Sequence, residues 1–369
     1  MEDLETIYNT SLLRMRETST VATFVAVRNT SVASKVASNA YEWRFILPPY
    51  FLIFMLSISG NCLVIATLAS NRRMRTVTNV YLLNLAISDF LLGVFCLPFT
   101  LVGQIYRRFL FGALLCKLIP FLQAVSVSVD VWTLVAISLE RYFAICRPLK
   151  SRKWQTQCHA YKMIAMVWIL SIILNSPILI VSTLQPMRGD AFKCREVWTS
   201  LELERAFNLG LDAGLLLIPF FIMSCAYCLI VTKLWRGMRH EIQHNFNWQR
   251  HCEGGPVPNS GTLKGLVLIF YLYFLLNTKH INVGISSQVI RMLFVIILEF
   301  FVCWAPLHVI NTVRFITIDT VCGQNVGSVV LLQLLAYCSS CCNPITYCFM
   351  NRKFRQAFIS LFKTCKLFR

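Results

Sequence analysis

Seven long apolar stretches restrict the fold of this sequence more than any other feature. A helix rises ~1.5 Å per residue, so about 20 apolar residues are needed to cross the ~30 Å hydrocarbon core of a membrane. The stretches of sufficient length, numbered here as spans 1 to 7, cover residues 45–70, 77–104, 113–146, 161–184, 206–235, 289–317 and 325–350. The alternating strands of about ten residues that build outer-membrane barrels are absent from the sequence. The sequence therefore predicts an all-α membrane protein, a seven-transmembrane helix bundle.

The composition agrees with a membrane protein and disfavours nucleic-acid binding. Hydrophobic residues make up 56% of the chain and charged residues only 14%, which is less charge than a soluble domain of this size carries. The formal charge is +18, but the basic residues lie in short clusters between apolar stretches rather than on one domain. Most of the 16 cysteines lie inside the apolar stretches, where we interpret them as small core residues.

The distribution of lysine and arginine predicts the orientation of the chain. Basic residues are more frequent in the segments after spans 1, 3, 5 and 7 than in the alternate loops, and an excess of this kind marks the cytoplasmic side. We expect a multi-pass plasma membrane protein with its N-terminus outside the cell. Two glycosylation sequons, at Asn9 and Asn29, lie in the predicted outer tail.

Polar residues and prolines inside the spans mark candidate functional positions, because polar groups are costly in hydrocarbon. The polar positions are Asn61 in span 1, Asp89 in span 2, Glu140, Arg141 and Tyr142 at the inner end of span 3, and Asn343 and Tyr347 in span 7. The prolines are Pro219, Pro306 and Pro344 in spans 5, 6 and 7. Each proline removes a backbone hydrogen bond and permits a hinge.

In this order, these residues resemble the rhodopsin-like family of G-protein-coupled receptors. The resemblance also includes Trp168, Tyr227 and the run Phe300-Phe301-Val302-Cys303-Trp304-Ala305-Pro306, and it covers approximately residues 50–360. It implies a receptor rather than an enzyme, without a cofactor. The implied partners are an external ligand, a heterotrimeric G protein, membrane lipids and arrestin, with no nucleic acid among them.

The resemblance implies an activation switch. Glu140 holds Arg141 at rest, and Arg141 meets the G protein and Tyr227 in the active state. Phe300 and Trp304 lie four residues apart on one face of span 6 and relay ligand contact to a swing of that helix. Such a bistable element has an equilibrium that an external ligand can bias.

A polar core completes the implied switch. In the family, the positions of Asp89, Asn343 and Tyr347 form a cluster that rearranges, often around a sodium ion. Asp130, eleven residues before Arg141 on the same face of span 3, is expected to approach Asp89. Two neighbouring carboxylates cannot easily both ionise without sharing a proton or a cation. We therefore predict signalling that depends on pH or on sodium.

Asp130 is one of three carboxylates inside the spans that depart from the family pattern, since the family has uncharged residues at the positions of Asp130, Asp212 and Glu299. Asp212 is predicted to line the ligand cavity and alter ligand preference. Glu299 precedes the Phe300 relay position and is predicted to change basal activity. For all three, the alternative is a neutral, hydrogen-bonded acid.

Two positions exclude familiar ligand classes. Gln123 lies 18 residues before Arg141, where receptors for amines carry an aspartate to pair with ammonium. Tyr337 lies seven residues before Pro344, where opsins carry the lysine that holds retinal. Amine and retinal ligands are therefore both disfavoured.

The predicted outer rim is basic and points to an anionic ligand. Its basic residues are Arg107, Arg108, Lys193, Arg195 and Arg314. Arg314 shares one helix face with Asn311 and Trp304, and a guanidinium group suits bidentate capture of carboxylate or sulfate. Cys116 and Cys194 both fall on the oxidising outer side, where a disulfide is expected.

Several short sequence segments resemble the cholecystokinin/gastrin receptors and their invertebrate sulfakinin relatives. The matching segments include residues 71–79, 109–112, 151–160 and 289–293. The resemblance implies an amidated peptide ligand ending in Asp-Phe-amide with a sulfated tyrosine, and coupling mainly to the Gq class with a rise in calcium. It assigns Asn311 and Arg314 to the peptide amide and aspartate, and Arg195 to the sulfotyrosine. Tyr337 matches a tyrosine in the wall of the pocket, and Arg107 lies near the position of a lysine in the family.

The predicted organisation has three parts. Residues 1–44 form an extracellular glycosylated tail, residues 45–350 form the receptor domain, and residues 351–369 form an amphipathic helix and cytoplasmic tail. Phe354 and Phe358 lie on the apolar face of that helix, and Cys365 is a candidate palmitoylation site. The loop 240–288 is uncertain, because its apolar run 266–276 is too short to cross a membrane and is either interfacial or a gene-model artefact.

Three other functions compete with this interpretation, and the sequence argues against two of them. A receptor of the same fold could bind another neuropeptide, such as an RFamide or orexin-like peptide. A transporter or channel would show related helix repeats, and none is visible. An enzyme would need a nucleophile and base, a phosphate loop or a metal cluster, and the sequence offers none of these.

Overall fold

The computed structural model describes residues 44–71, 74, 76–187, 191–252, 286–316 and 326–367. Within these ranges, only the backbone of residues 238–252, 286–289, 314–316, 326–328 and 362–367 is described. Asn9, Asn29 and the apolar run 266–276 lie outside the described residues. The side chains of Arg314 and Cys365 lie outside them as well.

Seven helices of the described chain are long and apolar enough to cross a membrane. They are Arg44–Ser70, Val77–Tyr106, Gly112–Cys146, Gln157–Val181, Leu201–Gly237, Ile290–Val313 and Val329–Met350. Each coincides with one predicted span, so the all-α, seven-transmembrane fold is confirmed. The spans of residues 53–367 pack side by side, with spans 6 and 7, spans 3 and 5, and spans 2 and 3 in the most extensive contact.

The predicted outer limit of span 4 is wrong. The helix ends at Val181 rather than at residue 184, and Ser182–Pro186 forms a strand, β1. This strand pairs antiparallel with β2, Phe192–Glu196, so that Leu184 faces Cys194. Cross-strand hydrogen bonds satisfy the backbone here, and hydropathy alone gave no sign of the change from helix to strand.

The helix of span 5 is longer than the predicted span, because its additional residues are polar. The helix begins at Leu201, where the Ser200 side chain accepts a hydrogen bond from the Leu203 backbone N–H. Glu202 and Glu204 in the first turn stabilise the positive end of the helix dipole. At the inner end the helix continues to Cys252, so the first part of the predicted loop 240–288 is helical.

Two spans contain a wide turn immediately before a proline. In span 2 a π-helical turn, Leu92–Cys96, precedes Pro98, and in span 5 the turn Ala213–Leu217 precedes Pro219. Proline lacks the N–H donor and clashes with the carbonyl four residues earlier, and a π turn absorbs this conflict. Pro306 and Pro344 lie inside spans 6 and 7.

Gly60 allows spans 1 and 7 to approach closely. A Cβ atom added at Gly60 would lie 2.9 Å from the Cβ of Pro344, a distance at which one helix would have to shift. The contact brings the Asn61 side chain to the backbone carbonyl of Ser340, at 2.8 Å. The Ser340 hydroxyl in turn donates to that of Ser57, at 3.0 Å.

The pattern of burial is that of a protein surrounded by lipid. Asn84, Asp89 and Asp130 are buried, whereas Leu170 and Ile173 of span 4 are exposed. A soluble protein buries its large apolar side chains and exposes its charges, so the reverse arrangement supports membrane insertion.

Two short helices lie beside the spans. The loop helix, Pro148–Trp154, joins spans 3 and 4. The tail helix, Arg352–Leu367, follows span 7 and buries Phe354 and Phe358 on one face, which confirms the predicted amphipathic helix.

Candidate functional site

Hydroxyl and amide side chains from spans 2, 3 and 7 meet in the half of the protein that carries the disulfide Cys116–Cys194. We call this half outer and the opposite half inner, after the orientation that the sequence predicts. The Tyr337 hydroxyl donates to the side-chain oxygen of Gln123 at 3.2 Å and lies 2.9 Å from the Thr100 hydroxyl. One turn further out, Gln104 donates to Gln333 at 2.6 Å. Gln123 and Tyr337, at which the sequence disfavours amine and retinal ligands, therefore bind each other.

An unpredicted cluster joins spans 5 and 6. The Nδ1 of His308 lies 2.5 Å from one carboxylate oxygen of Asp212, and the Thr312 hydroxyl donates to the other at 2.5 Å. Both His308 and Asp212 are largely buried. His308 and Thr312 lie four residues apart on one helix face, but no sequence signal placed Asp212 opposite them.

The outer hairpin is attached to span 3 by the predicted disulfide. Cys116 and Cys194 are bonded, with an S–S distance of 1.98 Å. The next residue in β2, Arg195, is exposed and pairs through its backbone with Thr183. A basic side chain is thereby held on a fixed strand beside the outer end of span 3.

The other predicted ligand residues also lie at outer helix ends. Asn311 is exposed near the outer end of span 6. Arg107 is exposed and ends span 2 with a left-handed backbone, φ 50°, a conformation that is uncommon for a residue other than glycine. Arg314 continues the same helix as Asn311, but its side chain is outside the described part of the chain.

Aromatic rings connect this outer region to the middle of span 6. Phe300 and Trp304 stack with their ring centroids 6.1 Å apart, and the His308 ring lies 6.2 Å from that of Trp304. The indole N–H of Trp304 donates to the Ser339 hydroxyl at 2.8 Å. The predicted pair is therefore in contact, and His308 extends it outwards to Asp212.

A buried polar core lies further inwards. The Asn343 amide donates to Asp89 at 2.8 Å. Ser88, the neighbour of Asp89 in span 2, donates to Asp130 of span 3, and both carboxylates are buried. Oxygen-rich surroundings of this kind suit a hard cation such as sodium.

Glu299 lies in the inner half of span 6, and Tyr347 lies near the inner end of span 7. Tyr347 is fully buried, and its ring packs against Phe354 of the tail helix at a centroid distance of 5.4 Å. The Thr346 hydroxyl lies 2.8 Å and 3.0 Å from the two carboxylate oxygens of Glu299. Glu299 therefore connects span 6 to span 7, a link that the sequence did not predict.

The inner end of span 3 holds the central ion pair. The Nε and Nη2 of Arg141 each lie 2.5 Å from an oxygen of Glu140, and Nη2 also donates to Thr78 of span 2. This is the geometry that the family resemblance implies for the resting receptor. Two-point contact between guanidinium and carboxylate is among the stronger side-chain interactions.

Two tyrosines of the predicted switch each pack against a phenylalanine ring. The Tyr142 ring packs edge-on against Phe143 at 5.2 Å. Tyr227 is buried, and its ring lies 5.8 Å from Phe294 of span 6.

Comparison with known proteins agrees with this arrangement. The family described as 7 transmembrane receptor (rhodopsin family) matches residues 60–347. The cholecystokinin receptor of Xenopus laevis is 38% identical, with 86% of this chain and 76% of the relative covered. The human cholecystokinin receptor type A is 39% identical, with 86% and 80% covered, and the mouse gastrin/cholecystokinin type B receptor is 36% identical, with 86% and 78% covered. The chain therefore belongs to the rhodopsin family of seven-transmembrane receptors.

Proposed function

We propose that the chain is a G-protein-coupled receptor for an anionic, amidated neuropeptide of the cholecystokinin/sulfakinin type. The observation that carries the proposal is the similarity to cholecystokinin and gastrin/cholecystokinin receptors along 86% of the chain. The N-terminus then lies outside the cell, as the distribution of basic residues predicts. Asn9 and Asn29 carry glycans on that side, and Cys365 carries palmitate on the cytoplasmic side.

Basic groups at the outer surface recognise the peptide. Arg195, exposed on the disulfide-anchored hairpin, binds the sulfate of a sulfotyrosine. Asn311 and Arg314 bind the C-terminal amide and the penultimate aspartate, and Arg107 adds positive charge to the rim. Guanidinium groups suit both anions because they donate two parallel hydrogen bonds.

The peptide then shifts an equilibrium between two helix arrangements. Its contacts at Asn311 and His308 bear on Trp304 and Phe300, which stack along span 6. Pro306 permits a hinge there, and movement of span 6 breaks the contact between Arg141 and Glu140. Arg141 becomes available to Tyr227 and to a heterotrimeric G protein of the Gq class, which raises cytosolic calcium, and arrestin later binds the same face.

The pair Asp89 and Asp130 makes this equilibrium sensitive to sodium or pH. Asn343 and Ser88 each donate a hydrogen bond to one of the two carboxylates. Neither donor is charged, so these bonds do not neutralise the two negative charges. A shared sodium ion or proton would neutralise one of them.

Calcium measurements in cells that express the chain test the proposal. A sulfated Asp-Phe-amide peptide should raise calcium at concentrations about tenfold or more below those of its unsulfated twin, since a charge-assisted contact contributes about 1.5–3 kcal/mol. Arg195→Ala should weaken only the response to the sulfated peptide, and Arg314→Ala should weaken both. Lys117→Ala removes an exposed cation at the outer end of span 3 and is the control.

Two outcomes would contradict the proposal. Silence towards both peptides, with the receptor detected at the cell surface, would exclude this ligand class. A strong response to unsulfated peptide that is independent of Arg195 would favour a different neuropeptide, such as an RFamide or orexin-like ligand.

A further inference from the structure

A cavity of about 580 Å³ lies on the side of the protein near the inner end of span 3. Spans 2, 3 and 4 and the loop helix enclose it, and most of its wall is apolar, with Leu139, Phe143 and Met163 as examples. Leu139 and Phe143 are 37% and 41% exposed. Partly exposed apolar side chains on a membrane-crossing helix indicate that the cavity opens sideways towards lipid.

The mouth of this cavity is basic. Arg147, Lys150 and Lys153 line it and are exposed. Among the described residues, no carboxylate lies within ion-pair distance of these three cations. The one acidic lining residue, Glu140, is bound by Arg141 at 2.5 Å, so the three cations remain available to an anion.

The mouth also lies at the boundary between hydrocarbon and head groups. Span 3 ends at Cys146 and span 4 begins at Gln157, and the loop helix lies between them. On that helix Leu149 and Trp154 are 83% and 73% exposed. Tryptophan beside lysine and arginine is typical of segments at the membrane interface.

We propose that the cavity binds one polyanionic phospholipid of the phosphoinositide class. An acyl chain occupies the apolar cavity, and the phosphates of the head group bind Arg147, Lys150 and Lys153. A free inositol phosphate would leave the apolar wall unused, whereas a lipid satisfies the wall and the mouth together. That the lipid comes from the inner leaflet rests on the orientation given under the proposed function.

Occupancy of the cavity also stabilises the contact between the loop helix and span 3. The Gln155 amide donates to the Glu140 carbonyl at 2.7 Å, and the Ser151 hydroxyl bonds to Gln155. A bound lipid would cover this junction from the membrane side, next to the Glu140–Arg141 pair.

Photolabelling of the purified full-length chain tests the proposal. The chain is placed in phosphatidylcholine nanodiscs that contain a phosphatidylinositol 4,5-bisphosphate with a photoreactive acyl chain, and mass spectrometry maps the labelled residues. We expect label within residues 77–81 and 136–163, removable by excess unlabelled lipid. Nanodiscs offer the lipid in both leaflets and no peptide is added, so the assay is independent of orientation and of the peptide ligand.

Two triple variants with the same loss of charge give the decisive comparison. In Arg147→Gln/Lys150→Gln/Lys153→Gln, each lost cation weakens binding about fivefold, so labelling should require on the order of a hundredfold more lipid. In Arg152→Gln/Lys162→Gln/Lys233→Gln, three exposed cations outside the cavity are lost, and labelling should stay within about twofold of the wild type.

A third variant tests the cavity itself. Ala136→Phe places a ring inside the wall and should reduce labelling while the basic mouth is intact; Met163→Trp is the substitute if that variant does not accumulate.

Four results would overturn the proposal. They are equal labelling of the two triple variants, labelling spread evenly over the spans, competition by soluble inositol trisphosphate as strong as that by the lipid, and labelling that neither cavity-filling variant reduces. If the first of these results is accompanied by loss of nucleotide exchange on a purified G protein in the first triple variant, the cations serve an acidic protein surface instead of a lipid.

Discussion

The inner and outer halves of the protein hold their helices together in different ways. In the inner half, the central contacts are made by motif residues: Arg141, which is paired with Glu140, donates to Thr78 of span 2, and Asn343 of span 7 donates to Asp89 at 2.8 Å. In the outer half, Asp212 joins His308 at 2.5 Å, and neither residue belongs to a motif. We propose that the inner contacts transmit a signal common to the family, whereas the outer contacts adapt the receptor to its own ligand.

The strongest test of the inner half removes the arginine. Arg141→Gln should reduce G-protein nucleotide exchange on the order of a hundredfold, because the hydrogen bonds that the proposed active state makes from Arg141 to Tyr227 and to the G protein are lost. Peptide affinity should change by less than about threefold, since the outer contacts are untouched. Exchange is measured with the purified receptor and G protein, and affinity with labelled peptide. A parallel loss of peptide affinity would contradict the division between the halves.

The corresponding test of the outer half removes a carboxylate. Asp212→Ala leaves His308 and Thr312 without their shared acceptor, so peptide affinity should change by about tenfold or more. Maximal exchange at saturating peptide should be retained. Thr312→Val loses only one hydrogen bond to the same carboxylate and is the graded control, with an expected change of about two- to fivefold. Unchanged affinity in Asp212→Ala would show that this cluster only packs.

Glu299 tests the comparison between the halves further. It lies in the inner half, but the sequence analysis identified it as a departure from the family pattern. Glu299→Leu removes the acceptor of Thr346 and frees span 6 from span 7, so exchange without ligand should rise about two- to tenfold. Thr346→Val breaks the same link from the other side and should give a rise in the same range. A fall in basal exchange in both variants would contradict a restraining role.

The smallest expected effect concerns Asp130. Replacing sodium with a large organic cation should change basal exchange of the wild type about twofold, and Asp130→Ser should lower that dependence. The same variant should flatten the response between mildly acidic and neutral pH. If the sodium and pH profiles of Asp130→Ser match those of the wild type, the two carboxylates do not share an ion or a proton.

The sequence predicted the spans, the disulfide and the tail helix because each depends on a local pattern or a family motif. It did not predict the hairpin β1–β2, whose register is set by pairing across a loop. Nor did it predict the early start of span 5, where the residues are polar. Hydropathy reports where helices can cross lipid, and it is silent about strands and polar caps.

The candidate site shows the same limit. Asp212 and Glu299 were noticeable as charges inside spans, but their partners His308 and Thr346 lie 96 and 47 residues away. Which side chains face each other across two helices depends on helix rotation and packing, which a single sequence does not give. The contact of Phe300 with Trp304 was predictable because it lies within one helix.

One paired measurement tests the central claim, that separate parts of this receptor recognise the peptide and activate the G protein. Binding of a labelled, sulfated Asp-Phe-amide peptide and nucleotide exchange on Gq are measured for the full-length wild type, Arg141→Gln and Asp212→Ala. We predict that Arg141→Gln binds peptide normally without driving exchange, and that Asp212→Ala binds with altered affinity and reaches full exchange at saturation. Equal loss of both quantities in both variants would contradict the claim.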